Sequence, residues 1–152
     1  MTVLSDRTIR SLCQGERPML EPFSERAELH GMTYGLSCNG YDIRVREPVD
    51  LRPGGFMLAS SLERFRMPAD VMATVCDKST LARCGLMVGS TIIECGWEGY
   101  LTLELSVRGG CELFLPAGSP ICQVVFYRLD QAAEKPYSGK YQDQPAMPVG
   151  AR

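Results

Sequence analysis

Apolar and polar residues alternate over several short segments in the second half of the chain. In the clearest case, segment 100–107, leucine or valine occupies every second position from 101, and Thr102, Glu104 and Ser106 stand between them. Successive side chains of a β-strand point to opposite faces. The pattern therefore predicts a strand with one buried and one polar face, and it places Glu104 on the polar face.

Similar segments recur from residue 41 onwards, separated by turns that contain glycine or proline. The predicted strands are 41–46, 56–60, 71–76, 86–88, 91–93, 100–107, 113–115 and 121–127. Short strands at intervals of about 8–12 residues are typical of all-β barrels and sandwiches, whereas α/β folds alternate strands with longer helices. We therefore predict an all-β fold.

The first 40 residues give weaker signals. Segment 5–13 has apolar residues at helical spacing, with Ser5 or Asp6 available as N-cap and Gly15 available to end the helix. Segment 16–40 is rich in Glu, Pro, Gly and Ser and shows no sustained period. We interpret it as a loop with a brief extended piece.

Length and charge narrow the possible functions. The chain has 152 residues, 45% of them apolar, which is enough for one domain with its own core. The formal net charge is −2, so neither nucleic acid nor an anionic membrane surface is expected as a partner. There is no apolar run of about 18 residues and no basic, apolar secretion signal at the N-terminus, so we expect a cytoplasmic protein.

The cysteine and histidine pattern argues against zinc and disulfides. The seven cysteines form no C-x-x-C pair, and His30 is the single histidine. Zinc-dependent nucleobase deaminases carry H-x-E and P-C-x-x-C segments, and the sequence contains neither. We expect the cysteines to be free, buried thiols.

Polar residues with phosphate-binding chemistry cluster in segment 77–86, directly after a predicted strand. Lys78 and Arg83 are cations, and Ser79 and Thr80 carry hydroxyls. Hydroxyls, backbone N–H groups and cations together can hold a phosphate chain. The same residues also fit a single helical turn with Ser79 as N-cap and Arg83 on the surface. The residues of the segment alone leave both interpretations open.

Several motifs together give the chain a family resemblance. The strongest are Lys-Ser-Thr-Leu-Ala-Arg-Cys-Gly at 78–85, Glu-x-Gly-Trp-Glu-Gly at 94–99 and Leu-Thr-Leu-Glu-Leu at 101–105. Weaker ones are Leu-Ser-Asp at 4–6, Glu-Pro-Phe at 21–23, the segment 34–44 and Gly-Lys-Tyr-Gln-x-Gln at 139–144. In this combination the sequence resembles the dCTP deaminases of the trimeric dUTPase superfamily.

This resemblance implies a distorted, jelly-roll-like β-barrel with one or two short helices. Residues 1–130 would form the dUTPase-like barrel domain with its N-terminal helix, and 131–152 a flexible segment that closes over the nucleotide. The chain would assemble as a homotrimer with sites between subunits. It would hydrolyse dCTP to dUTP and ammonia without zinc, feeding dUMP and dTTP synthesis, with Mg²⁺ bound through the triphosphate.

The resemblance also implies roles for individual residues. Glu104 matches the carboxylate that acts as general acid and base, Ser79 the hydroxyl that positions the water, and Arg83 the cation that orders this cluster. Lys78 and Thr80, together with Ser79, match positions that contact the phosphates.

The remaining positions concern base, sugar and tail. By the same resemblance, Thr91 would lie in the strand that lines the base, Glu94 matches an acidic residue near the sugar 3′-hydroxyl, and Gln123 matches a common Gln whose role is either in the site or in packing. The pair Gly89–Ser90 replaces a bulkier pair, and Cys95 stands where Pro is frequent. The three tail residues that match the segment closing over the triphosphate are Tyr137, Lys140 and Gln144.

Two other functions remain open at this point. The enzyme could also hydrolyse dUTP to dUMP and pyrophosphate, or act only as a dUTPase, although plain dUTPases typically carry Asp where this chain has Glu94. Alternatively, the chain could be a nucleotide-binding regulatory protein on the same trimer.

Overall fold

A computed structural model of the chain describes residues 1–89 and 91–151, so Ser90 lies outside the described residues. Within these ranges the fold consists of β-strands and two short helices. The helices are α1 (Asp6–Leu12) and α2 (Ser79–Ala82). The strands are β1 (Thr2–Val3), β2 (Leu20–Glu21), β3 (Ala27–Leu29), β4 (Met32–Ser37), β5 (Gly40–Arg44), β6 (Val49–Leu51), β7 (Phe56–Arg66), β8 (Val71–Asp77), β9 (Leu86–Val88), β10 (Ile92–Ile93), β11 (Glu98–Val107), β12 (Leu113–Leu115) and β13 (Pro120–Arg128).

The described strands form three sheets and not one closed barrel. The largest sheet has the order β10-β8-β13-β5-β4-β3, and β1 pairs with the C-terminal end of β13. A second sheet has the order β2-β7-β11-β9, and β12 pairs with β6. All the paired strands are antiparallel. The predicted all-β, distorted architecture with one or two short helices is confirmed.

Strand β11 behaves as its alternation predicts. Leu103 and Leu105 are almost fully buried, whereas Thr102 and Glu104 on the opposite face are half-buried. Full burial of one leucine side chain stabilises a fold by about 1.5–3 kcal/mol, so the apolar face determines which way the strand faces. The polar face, which carries Glu104, is therefore left available for a site.

The interpretation of segment 16–40 as a loop with one brief extended piece predicts too little structure, because the three strands β2, β3 and β4 lie within it. Strand β4 gives no alternating signal because Gly35 interrupts it with a positive φ of 84°. A Cβ at Gly35 would lie 2.4 Å from the backbone oxygen of Glu25. The backbone segment that contains Glu25 therefore lies too close to Gly35 for any side chain. This close approach is a tertiary feature that periodicity does not report.

The predicted strand 56–60 is too short, since β7 continues to Arg66. The second half of β7 was not predicted because it contains a charged residue at a buried position. Glu63 is fully buried and accepts a hydrogen bond from the Arg44 Nε at 2.8 Å. Burial raises the pKa of Glu63, while hydrogen bonds from Arg44 act in the opposite direction. A carboxylate at a core position breaks the apolar pattern from which strands are predicted.

None of the helices in the described part of the chain is both long and apolar enough to cross a membrane.

Candidate active site

A cavity of about 530 Å³ opens on the polar face of β11. Glu104 and Thr102 contribute to it from β11, and Thr91 and Glu94 contribute from the two ends of β10. Apolar side chains form much of the remaining wall, among them Phe56 and other residues of β7 and β10. A cavity of this size with a few convergent polar groups is typical of a small-molecule site.

The C-terminal tail forms another wall of this cavity. Tyr137 and Gln144, both predicted to close over a ligand, line it. The Thr102 hydroxyl donates to Gln144 Oε1 at 3.2 Å, and the backbone oxygen of Gln144 accepts from the Tyr100 amide at 3.1 Å. The structure therefore brings five predicted site residues to one cavity: Thr91, Glu94, Glu104, Tyr137 and Gln144.

The tail is held in this place by the turn before β11. The indole N–H of Trp97 donates to the backbone oxygen of Tyr141 at 2.7 Å. The Gln142 amide accepts from the Glu98 N–H at 3.3 Å and donates to the Gly96 carbonyl at 3.1 Å. These contacts connect the tail to the turn that leads into β11, the strand that carries Glu104.

The helix α2 presents a second group of predicted residues outside the cavity. Ser79, Thr80 and Arg83 are exposed, while Leu81 between them is 3% exposed and fixes the turn to the core. Among the described residues that line the cavity, none comes from α2. Both hydroxyls and the guanidinium thus face outwards from this chain.

The prediction of Ser79 as N-cap is wrong, because Lys78 occupies that position. The Lys78 backbone oxygen accepts from the N–H groups of Leu81 and Ala82, both at 2.9 Å. Ser79 is already the first helical residue, so its hydroxyl is not the cap of the turn. The predicted single helical turn itself is present.

The side chain of Lys78 is buried and paired. Its Nζ lies 2.6 Å from Asp42 Oδ2 and donates to the Thr33 hydroxyl at 3.2 Å, and both partners of the ion pair are 9% exposed. Lys78 therefore connects α2 to β5 and β4. The ammonium points into the sheet and not towards the exposed hydroxyls.

Two further predicted residues lie elsewhere. Gln123 is in the central strand β13, opposite Asp42 and Cys76, and its amide donates to the Ser37 hydroxyl at 3.3 Å. Lys140 is exposed on the tail, with its Nζ 5.0 Å from the ring centre of Tyr141. Neither residue lines the cavity as the described residues define it.

Sequence reasoning missed several lining residues. Thr102 could have been found, because it shares the polar face of β11 with Glu104 two positions away. Trp97 and Tyr141 also line the cavity, but they do so because the tail folds back on the turn at 96–99. No local pattern in the sequence predicts that contact.

All seven cysteines are free, as predicted, but their expected burial is only partly correct. Cys13 and Cys122 are buried, whereas Cys38, Cys84 and Cys111 are exposed. Within the described residues there is no group of three or more His, Cys, Asp or Glu side chains that could hold a metal ion.

Comparison with solved structures defines the class of fold. The dUTPase of EIAV matches with a TM-score of 0.58 at 18% identity, covering 80% of this chain and 98% of that chain. The 2′-deoxycytidine 5′-triphosphate deaminase from Agrobacterium tumefaciens matches with a TM-score of 0.62 at 19% identity, covering 82% of this chain and 47% of that chain. At these identities the likeness shows a dUTPase-like fold.

Sequence comparison gives the family. A family model described as dCTP deaminase-like matches residues 41–129. A dCTP deaminase of Acidobacterium capsulatum is 37% identical over 177 aligned positions, covering 95% of this chain and 96% of the relative. A dCTP deaminase of Pseudomonas aeruginosa is 36% identical over 182 positions with the same coverage. The chain belongs to the dCTP deaminase-like family.

Proposed function

We propose that this protein hydrolyses dCTP to dUTP and ammonia, with Mg²⁺ arriving on the triphosphate as part of the substrate. The observation that carries the proposal is the position of Glu104 in a nucleotide-sized cavity beside Thr91 and Glu94, in a chain of the dCTP deaminase-like family. The named relatives, similar over nearly their whole length, are dCTP deaminases.

Deamination of cytosine requires one group that accepts protons and then returns them. We assign this role to Glu104. The carboxylate takes a proton from water as the water oxygen bonds to C4 of cytosine, and it passes that proton to N3. It then moves the proton of the new hydroxyl to the 4-amino nitrogen. The C4–N bond breaks, ammonia leaves and the C4 carbonyl of uracil remains, so the carboxylate is regenerated.

A homotrimer would complete this site. Ser79 and Arg83 are needed beside the water and the carboxylate, yet in the single chain they face outwards from α2 and do not line the Glu104 cavity. A neighbouring subunit can supply them if its α2 docks at the cavity mouth. Phe56 and Ile92 at that mouth are 66% and 65% exposed, which fits a surface that is covered on assembly.

The phosphates would lie against the outer face of α2. Ser79 and Thr80 expose hydroxyl donors there. Because the Lys78 ammonium is held by Asp42, we assign Lys78 to holding the turn in place, so that its effect on the phosphates is indirect. Gln123, opposite Asp42, would support the same region.

The tail would close the other side of the nucleotide. Tyr137 and Gln144 already stand in the cavity wall, and Lys140 on the intervening turn carries the charge that a triphosphate needs. Release and return of this segment would admit substrate and exclude water, as mobile lids do in other enzymes.

The proposal is tested by separating the nucleotide products after purified protein is incubated with Mg²⁺ and dCTP. We expect dUTP and an equal amount of ammonia. Formation of dUMP and pyrophosphate would show that the protein also hydrolyses dUTP. If dCTP stays unchanged while it binds, the protein is not a dCTP deaminase, and a binding or regulatory role is favoured.

A further inference from the structure

One hydroxyl group on β11 holds both ends of the loop formed by tail residues 144–149. The Thr102 Oγ1 donates to the side-chain oxygen Oε1 of Gln144 at 3.2 Å, and it accepts from the backbone N–H of Val149 at 3.0 Å. A threonine hydroxyl has one proton to donate and lone pairs with which to accept, so it can make both bonds at once. The two ends of the loop are therefore joined through a single side-chain atom.

These two bonds are separate from the anchors at the turn before β11. The indole of Trp97 holds the tail at that turn, whereas Thr102 lies on β11 itself, two positions before Glu104 and on the same face. Val149 and Gln144 both line the Glu104 cavity. The Thr102 hydroxyl thus holds two parts of the tail in the wall of the candidate active site.

The loop between the two ends is exposed to solvent. Met147 is 58% exposed, and residues 145 and 146 are exposed as well. Pro145 and Pro148 have no backbone N–H to donate. Segments that bury little surface open most readily, so the bonds at the two ends should have a large share in keeping this loop in place.

We infer that Thr102 is a positioning residue for the proposed reaction: its hydroxyl fixes the Gln144 side chain and the following loop against the strand of Glu104 before substrate binds. A side chain that is already oriented costs less entropy to order when a ligand binds. The expected effect on catalysis rests on the proposed function, whereas the expected effect on the tail does not.

The first test compares Thr102→Val with a matched control, Thr74→Val, in the full-length protein. Valine has nearly the shape of threonine but lacks the hydroxyl. Thr74 is also a half-buried strand residue, and its hydroxyl donates to the Tyr127 hydroxyl at 3.4 Å instead of to the tail. The control therefore loses a hydroxyl without losing a contact to the loop.

The readout of this test is the rate at which trypsin cuts after Lys140. That bond should be cut only when the tail opens, because the N–H of the next residue, Tyr141, donates to the Tyr137 hydroxyl at 3.1 Å. We expect Thr102→Val to speed the cleavage about tenfold, as for the loss of two ordinary hydrogen bonds, and Thr74→Val to be cut at the parental rate. A parental rate in Thr102→Val would overturn the inference.

Kinetics with dCTP separate positioning from a general loss of structure. We expect Thr102→Val to raise KM about fivefold or more while kcat changes less than about threefold, because substrate binding must then also order Gln144. Thr102→Ser keeps the hydroxyl, so it should recover most of the loss in both KM and resistance to cleavage. A parental KM in Thr102→Val, or no recovery in Thr102→Ser, would contradict the positioning role.

A second variant decides the matter if Thr102→Val does not fold. Gln144→Leu removes one of the two bonds from the side of the tail, and it should speed cleavage after Lys140 about threefold or more. A parental rate in Gln144→Leu would then overturn the inference. If the parent does not deaminate dCTP, the proposed function fails, and the cleavage rates still decide whether Thr102 holds the tail.

Discussion

At the scale of single residues, burial raises the pKa of two groups that lie away from the candidate site. Burial at the end of α1 raises the pKa of the Cys13 thiol to about 11, and burial in the core raises the pKa of the Tyr41 hydroxyl to about 12. Both lie outside the described lining of the Glu104 cavity. They affect stability at high pH and not the proposed chemistry.

Cys13 gives a prediction about stability at alkaline pH. In the folded chain the thiol keeps its proton up to about pH 11, whereas in the unfolded chain it ionises from its ordinary pKa of 9.0. Its contribution is therefore complete below pH 9 and is lost as the pH rises to about 11, by up to about 2 kcal/mol. Urea unfolding at about pH 8 and pH 11 should show a smaller loss for Cys13→Ala than for the parent. Equal losses in the two proteins would contradict this account.

The alternation of β11 was enough to place Glu104 on the polar face of a strand, because alternation is a local property. The roles expected of Glu104, Thr91 and Glu94 rest on the family resemblance of the surrounding motifs and not on residue type alone. The burial of Lys78 against Asp42 could not be predicted in this way. Those two residues are 36 positions apart, and only the pairing of distant strands brings them together.

At the scale of elements, α2 is a short helix that cannot be stable by itself. A single turn of four residues gains too few hydrogen bonds to offset its ordering entropy. It is held by the buried Leu81 from one side and by the Lys78–Asp42 ion pair from the other. The exposed hydroxyls of the turn are thereby fixed in position.

Removal of one partner of the Lys78–Asp42 ion pair should lower the stability of the folded protein. Lys78→Met leaves the Asp42 carboxylate buried without its cation, which is expected to lower the free energy of unfolding by about 3 kcal/mol. Lys135→Met, at an exposed tail position, is the matched control and should change it by less than about 0.5 kcal/mol. Chemical denaturation measures both. Similar small effects in the two variants would show that the pair does not anchor the turn.

The elements also show where prediction from sequence fails. Strands with clean alternation, such as β11, or with a compact apolar run, such as β9, were predicted within a few residues of their bounds. Strand β4 and the second half of β7 were missed because Gly35 and the buried Glu63 break the pattern. In both cases a tertiary contact determines the residue, so the local sequence contains no signal for it.

At the scale of the whole molecule, the candidate site is divided between two surfaces of one chain. Glu104 lies in the cavity, and Ser79 and Arg83 lie on the outward face of α2. Closed rotational symmetry brings such different surfaces together in every copy, because each subunit offers one half of the site to its neighbour. The proposed homotrimer accounts for this division.

Mixing of two inactive variants tests that arrangement. Arg83→Ala and Glu104→Gln each remove one half of every site, so each alone should be inactive. After joint refolding in equal amounts, random assembly pairs an intact Glu104 with an intact neighbouring Arg83 in about a quarter of the sites, and that share of activity should return. No recovery in assemblies shown to be mixed would mean that both residues act within one chain.

Every proton transfer of the proposed reaction passes through Glu104, and the variant Glu104→Gln isolates that role. The amide has nearly the same shape as the carboxylate, so binding of dCTP should be preserved, with Kd changed less than about threefold. Because the amide cannot accept and return a proton, dUTP formation should fall by about a hundredfold or more. Turnover close to that of the parent, with dCTP bound equally well, would contradict the account.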